Sequence, residues 1–462
     1  MKDYKEDTIV AVGTRPGEAA IGIVKLSGNK STLIADNIFT SNSGKKIFEM
    51  DTYKMIYGQI KDKQNNIVDE AIITIMKAPG SYTREDIIEI NCHGGITAIT
   101  KIMELCIDEG ARIAEPGEFT KRAFINGRID LSQAEAVIDI INAKTEQSLK
   151  IAAKNLSGNI KEKMSEIKES VLEIIVQLDA AVDFVEEDLE TTPYDELKKG
   201  ILKISDEVGK LISDEKKGEI IKNGIKAAIV GKPNVGKSSL LNLLSKKEKA
   251  IVTEIPGTTR DTVEEILYIE GIPLILTDTA GIRDTEDRIE KIGVEKSLKQ
   301  IGDADLVIIV LDGSREFDDI DGKIIKKIEE KKTICCINKE DVKQKINIDN
   351  IVCHFPTENI IKISALKGSG VKILEERIKH MMLNSEDSVI EEKIIVNARH
   401  KNILKEILDM LNKALEAIDN NLSEEFPSSD LRIVYDLIGE ITGETARDDI
   451  LDRVFSRFCI GK

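Results

Sequence analysis

The segment GKPNVGKS, residues 231–238, fits the pattern G-x-x-x-x-G-K-[ST] and stands between the apolar run AAIV and the helix-spaced run SLLNLLS. In that setting glycines let backbone amides turn inward, so the amides and a helix N-terminus cradle phosphates. Lys237 then reaches the β and γ groups and counts as catalytic for transfer of the γ-phosphoryl, Ser238 holds magnesium, and Asn234, Val235, Gly236 and Ser239 complete the cradle. A glycine-rich turn carrying a surface lysine is the bland alternative. It leaves unexplained three further segments, which follow in the order a guanine-nucleotide switch requires. DTAG, 278–281, ends an apolar strand, so Asp278 meets the magnesium shell and Gly281 turns its amide to the γ-phosphate, with Thr279 and Ala280 between them. NKED, 338–341, follows TICCI, and beside Asn338 and Lys339 it supplies Asp341, whose carboxylate accepts from guanine N1 and the exocyclic amine. Adenine offers neither donor there, so Asp341 would be left unpaired against it. ISAL, 363–366, brings Ser364, Ala365 and Leu366 over the base. Each short motif alone is a weak match; together, in order and each behind a strand, they imply a GTPase.

Between the first two motifs lies TEIPGTTRD, 253–261, and a threonine that meets both magnesium and γ-phosphate must come from this interval. Thr259 is the candidate, carried on a loop with Thr253, Glu254, Ile255, Pro256, Gly257 and Thr258. Arg260 reads equally as an arginine finger and as a solvated arginine. Ras-type switches follow DTAG with a glutamine that orients the attacking water, whereas position 282 is isoleucine, so another group must do that work. Glu286, Asp287 and Glu290 are the available carboxylates. The residues alone do not choose among them, and a charged helix face accounts for each.

Loops of this kind need a sheet behind them, and the chain has room for one. Its 462 residues, 41% hydrophobic and 32% charged, suggest roughly two to four domains. From 225 to about 383 apolar strands alternate with helical segments, as a parallel sheet covered on both faces requires. Residues 8 to about 118 mix β-branched runs with turn signals and one helical stretch, ITAITKIMELCIDEG, which reads as an α+β domain. Helical spacing fills 121–217 and returns after 384, so the α/β domain is read as an insertion into a helical one. The expected boundaries are 1–118, 119–218, 219–383 and 384–462. The fold class is therefore multidomain: an α+β N-terminal domain, an all-α helical domain and an inserted α/β P-loop domain.

The net charge of −17 repels phosphate backbones, so any nucleic acid needs a local basic patch or a partner's help. Six cysteines without C-x-x-C spacing point to a reducing compartment, and the absence of a signal-like start or a ~20-residue apolar run to a cytoplasmic protein.

With these residues in view, the whole chain resembles the MnmE (TrmE) family of tRNA-modification GTPases. The resemblance rests on TRPGEAAIGIVKLSG, APGSYTREDIIEINCHGG, EPGEFTKRAFINGRIDLSQAEAV, the GTPase motifs and the terminal FCIGK. It implies a folate-binding, dimerising N-terminal domain and modification of carbon 5 of the tRNA wobble uridine with an aminomethyl-type group. The reaction is shared with an FAD-dependent partner of MnmG (GidA) type, assembled as a heterotetramer on the tRNA anticodon region. The one-carbon unit comes from 5-formyl- or methylene-tetrahydrofolate, and the FAD is the partner's, not this chain's.

By motif, the folate contacts implied fall on Lys25, Glu89, Arg128 and Lys462. The cationic ends suit a glutamate tail and the carboxylate suits a pterin's donor edge. Lys25 stands where the family often has arginine, which turns a forked contact into a point charge. A potassium ion is implied at Asn234, Thr253, Ile255 and Thr258, near the bridging phosphate oxygens, in place of an arginine finger. Glu290 becomes the water-orienting carboxylate. Cys459 of FCIGK reads either as a reactive thiol or as a buried structural one, and His93, between glycine-rich neighbours, as an imidazole satisfied in a tight turn. An RNA- or ribosome-assembly GTPase without modification chemistry, or a nucleotide-gated scaffold, would share the P-loop, DTAG and NKED; folate binding separates them from the leading reading.

Overall fold

The computed structural model describes residues 7–15, 17–183, 194–247, 265–269, 272–276, 301–302, 304–383 and 394–462. They fall into two compact units, each made from separated stretches of chain: Met1–Ile141, Lys154–Val208 and Asn402–Lys462 in one, Asn142–Ala153 and Gly209–Lys401 in the other.

The first unit begins with a sheet. Strands β1 (Ile9–Val12) and β2 (Ala19–Ser27) lead to helix α1 (Ser31–Ile38), then come β3 (Phe39–Ser41), β4 (Lys54–Lys61), β5 (Ile67–Met76), β6 (Ile87–Gly94), helix α2 (Ile96–Asp108) and β7 (Arg112–Ile113). The strand order is β3-β4-β5-β6-β2-β1-β7, antiparallel except where β7 pairs with β1. Alternation divides the faces: Ile73, Ile75, Ile88, Ile90, Val24 and Leu26 pack against Ile34 and Ile38 of α1 and Ile99, Ile102 and Leu105 of α2. The opposite face carries Ile21, Met55, Tyr57 and Ile72, all exposed. Helix α1 is an addition to the one helical stretch read from sequence, and β4 is not one of the β-branched runs read there. STLIADNI is too short to show a helical period, and KMIYGQIK places polar residues among its apolar ones.

Helices follow: α3 (Glu118–Ile125), α4 (Leu131–Asn142), α5 (Glu146–Ser157), α6 (Asn159–Asp183) and α7 (Tyr194–Asn223). These helices fill the stretch of helical spacing, 121–217, as far as it is described; α6 runs to Asp183, and 184–193 lie outside the described residues.

The second unit holds β8 (Ile225–Val230), α8 (Lys237–Lys247), β9 (Glu265–Ile269), β10 (Ile272–Leu276), β11 (Leu306–Asp312), α9 (Asp319–Lys326), β12 (Lys332–Asn338), α10 (Asp349–Val352), β13 (Ile360–Lys362) and α11 (Val371–Leu383). The order is β13-β12-β11-β8-β10-β9, with only β9 antiparallel to its neighbour. Both faces are covered, which is why IKAAIV is apolar throughout: Ala227 and Ile229 enter one core, Ala228 and Val230 the other.

Helices α12 (Ala398–Asp419), α13 (Glu425–Thr442) and α14 (Asp448–Phe455) close the chain. In the first unit α13 packs along α6, with Ser428 Oγ donating to Asp179 at 2.7 Å. Leu451, Val454, Phe455 and Phe458 pack on Leu131 and Ala134 of α4, so the C-terminus folds back onto residues from the first third of the sequence.

Candidate functional site

Parallel strands end at one edge, and that is where the motifs collect. The loop after β8 is the phosphate loop, and those after β11, β12 and β13 stand beside it at the same edge, the position at which open α/β sheets bind ligands. The loop's conformation needs its residue types. Gly231 (φ +148°) and Gly236 (φ +102°) both have positive φ, and a Cβ on them would lie 2.4 Å from Val310 O and 2.1 Å from Asn338 Nδ2. Asn234 also takes a positive φ, 63°, and is exposed at the loop's tip. Among the described residues Lys237 Nζ donates to the carbonyls of Gly231 (2.8 Å) and Lys232 (2.7 Å). Burial pulls this ammonium below the ordinary lysine value. It is a desolvated cation among neutral acceptors, which suits it to an incoming phosphate. Ser238 and Ser239, at the start of α8, are exposed and Val235 is buried.

On the base side, buried Asn338 stitches two loops together: its Nδ2 donates to Val235 O at 2.7 Å and its Oδ1 accepts from Ala365 N at 2.9 Å. Asp341 Oδ1 accepts from Ser364 Oγ at 2.5 Å, and that bond holds the carboxyl below its ordinary range. Lys339 Nζ donates to Asp312 Oδ2 at 2.6 Å, while Leu366 projects into solvent, 84% exposed. The structure thus brings Asn234, Val235, Gly236, Lys237, Asn338, Asp341, Ser364 and Ala365 to one end of the sheet. Thr253, Glu254, Ile255, Pro256, Gly257, Thr258, Thr259, Asp278, Thr279, Ala280, Gly281 and Glu290 lie outside the described residues, as do Arg260, Glu286 and Asp287.

A second constellation occupies the first unit. Lys25 Nζ lies 3.4 Å from Glu89 Oε1 and 5.6 Å from the centre of the Phe119 ring. Phe119 is buried with Ile9, Ala11 and Ala114, and Tyr82 packs against this cluster. The Arg128 guanidinium stacks 4.5 Å over the Tyr82 ring while its Nη1 donates to Tyr82 O at 3.1 Å. The Tyr82 hydroxyl is 3.0 Å from Thr120 Oγ1. The terminal segment arrives at the same place: Gly461, with φ +95°, sits where a Cβ would lie 2.3 Å from Val12 O, and Gly117 N donates to Cys459 O at 3.4 Å. Lys25, Glu89, Arg128 and the segment carrying Lys462 are therefore joined by a continuous chain of contacts.

Two sequence readings are corrected. Cys459 is exposed, so the buried structural thiol is not what the fold contains: Phe455 and Phe458 fill the apolar space instead. His93 lies in strand β6 rather than in a turn, and its imidazole is satisfied across the sheet, Nδ1 being 2.6 Å from Asp69 Oδ1.

Two family descriptions match the chain: "GTP-binding protein TrmE N-terminus" over residues 8–128 and "MnmE helical domain" over residues 131–459. The protein named tRNA modification GTPase MnmE of Clostridioides difficile (strain 630) is 46% identical over 99% of this chain and 100% of its own length. Its namesake from Alkaliphilus oremlandii (strain OhILAs) is 45% identical over 99% and 100%. The chain belongs to the MnmE (TrmE) family. A solved G domain of the T. maritima FeoB iron transporter is also similar, at 28% identity over 34% of this chain and 98% of that one with a TM-score of 0.25; membership rests on the full-length relatives. As a member of the MnmE family the chain is a GTP hydrolase, built from a TrmE N-terminal domain, a helical domain and a P-loop GTPase domain.

Three participants escaped the sequence reading. Tyr82 and Phe119 lie inside the motifs quoted above, yet nothing in a linear pattern says that their rings carry Arg128 and Lys25. Lys232 occupies a variable position of the phosphate-loop pattern, which assigns it no role. Its Nζ is 2.8 Å from Asp318 and 2.7 Å from Asp321, partners 86 and 89 residues away.

Proposed function

We propose that this chain is a potassium-stimulated GTPase acting on tRNA. With an FAD-dependent partner of MnmG (GidA) type, it modifies carbon 5 of the wobble uridine, using a tetrahydrofolate as one-carbon donor. What carries this reading is the meeting of the two chain ends, where Gly461 packs on Val12 beside Lys25. A plain nucleotide switch has no use for that arrangement. Lys25, Arg128 and Lys462 supply cations for a folate glutamate tail, and Glu89 a carboxylate for the pterin's donor edge. Cys459, exposed in the same segment, is available as a thiol nucleophile.

In the GTPase domain Lys237 holds the β and γ phosphates, Ser238 and Thr259 hold magnesium, and Asp341 with Ser364 reads guanine. Asn234, Thr253, Ile255 and Thr258 would hold a potassium ion, which would supply the positive charge of an arginine finger, and Glu290 would orient the attacking water. The exposed apolar face of Ile21, Met55, Tyr57 and Ile72 suits a homodimer, in which GTP draws two GTPase domains together by binding the closed arrangement more tightly. Net charge fits tRNA held jointly with the partner in the cytoplasm. Among the described residues no helix is long and apolar enough to cross a membrane.

Mass spectrometry of wobble nucleosides from cells lacking the protein is the test. The C5-modified uridines should vanish and return on complementation; an unchanged profile leaves the GTPase without the modification chemistry. Hydrolysis compared in sodium and potassium tests the ion, and equal rates would remove Asn234 from that role.

A further inference from the structure

The phosphate loop is pinned at both ends by residues from other elements. On one limb Asn338 holds Val235 O. On the other, the Lys232 side chain, 15% exposed, runs to Asp318 Oδ2 at 2.8 Å and Asp321 Oδ2 at 2.7 Å. Both carboxylates are themselves fixed. Asp318 caps α9, accepting from the amides of Ile320 and Asp321, and Asp321 sits inside that helix, only 3% exposed. Asn234, with a positive φ, lies between the pins, and Gly231 and Gly236, also at positive φ, flank them on either side, conformations that cost the chain energy to hold. The backbone carbonyl of Lys232 is also one of the two acceptors for Lys237 Nζ.

We infer that Lys232 is a positioning residue for nucleotide binding: clamped to Asp318 and Asp321, it fixes the limb of the phosphate loop whose carbonyls hold Lys237, so that the loop meets phosphate already shaped. A preset loop spends less binding energy on ordering, so the clamp acts on affinity rather than on the chemical step. The clamp keeps its charge although it is partly buried: burial disfavours the ammonium, and the two carboxylates outweigh that and raise its pKa. Lys232 is in turn the cation that the buried Asp321 carboxylate faces: among the described residues its Oδ2 otherwise accepts only from the Asp318 amide at 3.3 Å, and its Oδ1 has no hydrogen-bond partner.

Full-length Lys232→Met, Lys232→Arg and Asp318→Asn proteins would be compared with wild type for mant-GDP binding, steady-state GTP hydrolysis and thermal melting. Lys232→Met should bind mant-GDP about tenfold more weakly and raise the KM for GTP by about the same factor, with kcat within about twofold. Lys232→Arg should recover most of the loss, because a guanidinium can span both carboxylates. Asp318→Asn keeps the helix cap and removes one charge, so a loss of about threefold is expected. Folded Lys232→Met with wild-type affinity would overturn the inference. So would a fall in kcat at unchanged KM, which would put Lys232 in the chemistry instead. Should Lys232→Met fail to fold, wild-type affinity in Asp318→Asn would be decisive against it.

Discussion

The two sites treat their lysines in opposite ways. Among the described residues Lys237 is held by carbonyl oxygens and is desolvated, a charge prepared for an anion that has yet to arrive. Lys25 is already paired with Glu89 and leans on the Phe119 ring, so its charge is largely balanced within the protein. The first design suits one strongly charged ligand bound and released with each turnover. The second suits a ligand with a cation-seeking end and a carboxylate-seeking end, where each protein charge exchanges one partner for another at little net electrostatic cost. On the function proposed above, the switch and the first-unit set would differ in how much of their binding energy is electrostatic.

The contrast breaks most sharply at Lys237. Lys237→Met should lower kcat/KM for GTP by about 10³-fold, as expected when a phosphate-clamping charge is removed. The nucleotide-free protein should melt no earlier than wild type, because the substitution deletes a buried ammonium that burial disfavours. Early melting without nucleotide would mean that this lysine is part of the core's stability. Next in size is Asp341→Asn, which replaces an acceptor facing guanine's donors with an amide. GTP turnover should drop by about 10²-fold or more, and xanthosine triphosphate, which presents an oxygen at that edge, should become the better substrate. Equal losses for both nucleotides would show that Asp341 serves the Ser364 loop instead.

These two expectations come from residues that were legible in the sequence, and the reason is geometric. Each GTPase motif directly follows an apolar strand, and parallel strands deliver their C-terminal ends to a common edge whatever the connections between them. What could not be read is everything set by packing between distant segments. Lys232 gives no sign of its carboxylates 86 and 89 positions on. The approach of Gly461 to Val12 follows from α14 folding onto α4, a contact written in no local pattern. The set Lys25, Glu89, Arg128 and Lys462 was available only through likeness to a family. Short elements failed for another reason: α1 spans 8 residues and β4 mixes lysine and glutamine into its alternation, so neither shows a clean period.

The first-unit side of the contrast is tested by titrating 5-formyltetrahydrofolate into Lys25→Ala and Glu89→Gln proteins. If an internal pair exchanges partners on binding, each substitution should weaken binding by about tenfold, and the double variant should lose less than the product of the two. Strict additivity would mean that the residues act separately and that the pair at 3.4 Å is incidental. Lys25→Arg should bind at least as well as wild type, since a guanidinium can grip a carboxylate at two points.

The smallest expected effect concerns a pair that lies in neither site and shows what an exposed ion pair does here by comparison. His93 Nδ1 is 2.6 Å from Asp69 Oδ1, and the hydrogen bond to that carboxylate, followed by its charge, raises the imidazole above 6.5. A raised folded value means that the pairing contributes to stability in full below the ordinary histidine value and loses that contribution as pH climbs through the raised one. With the His93 side chain 72% exposed, solvent screens the pair and the melting temperature should scarcely register it. Titration followed by NMR should register it clearly: the His93 midpoint lies above 6.5 in wild type and returns to the ordinary value in Asp69→Asn. A wild-type midpoint at or below 6.5 would show that the contact does not persist in solution.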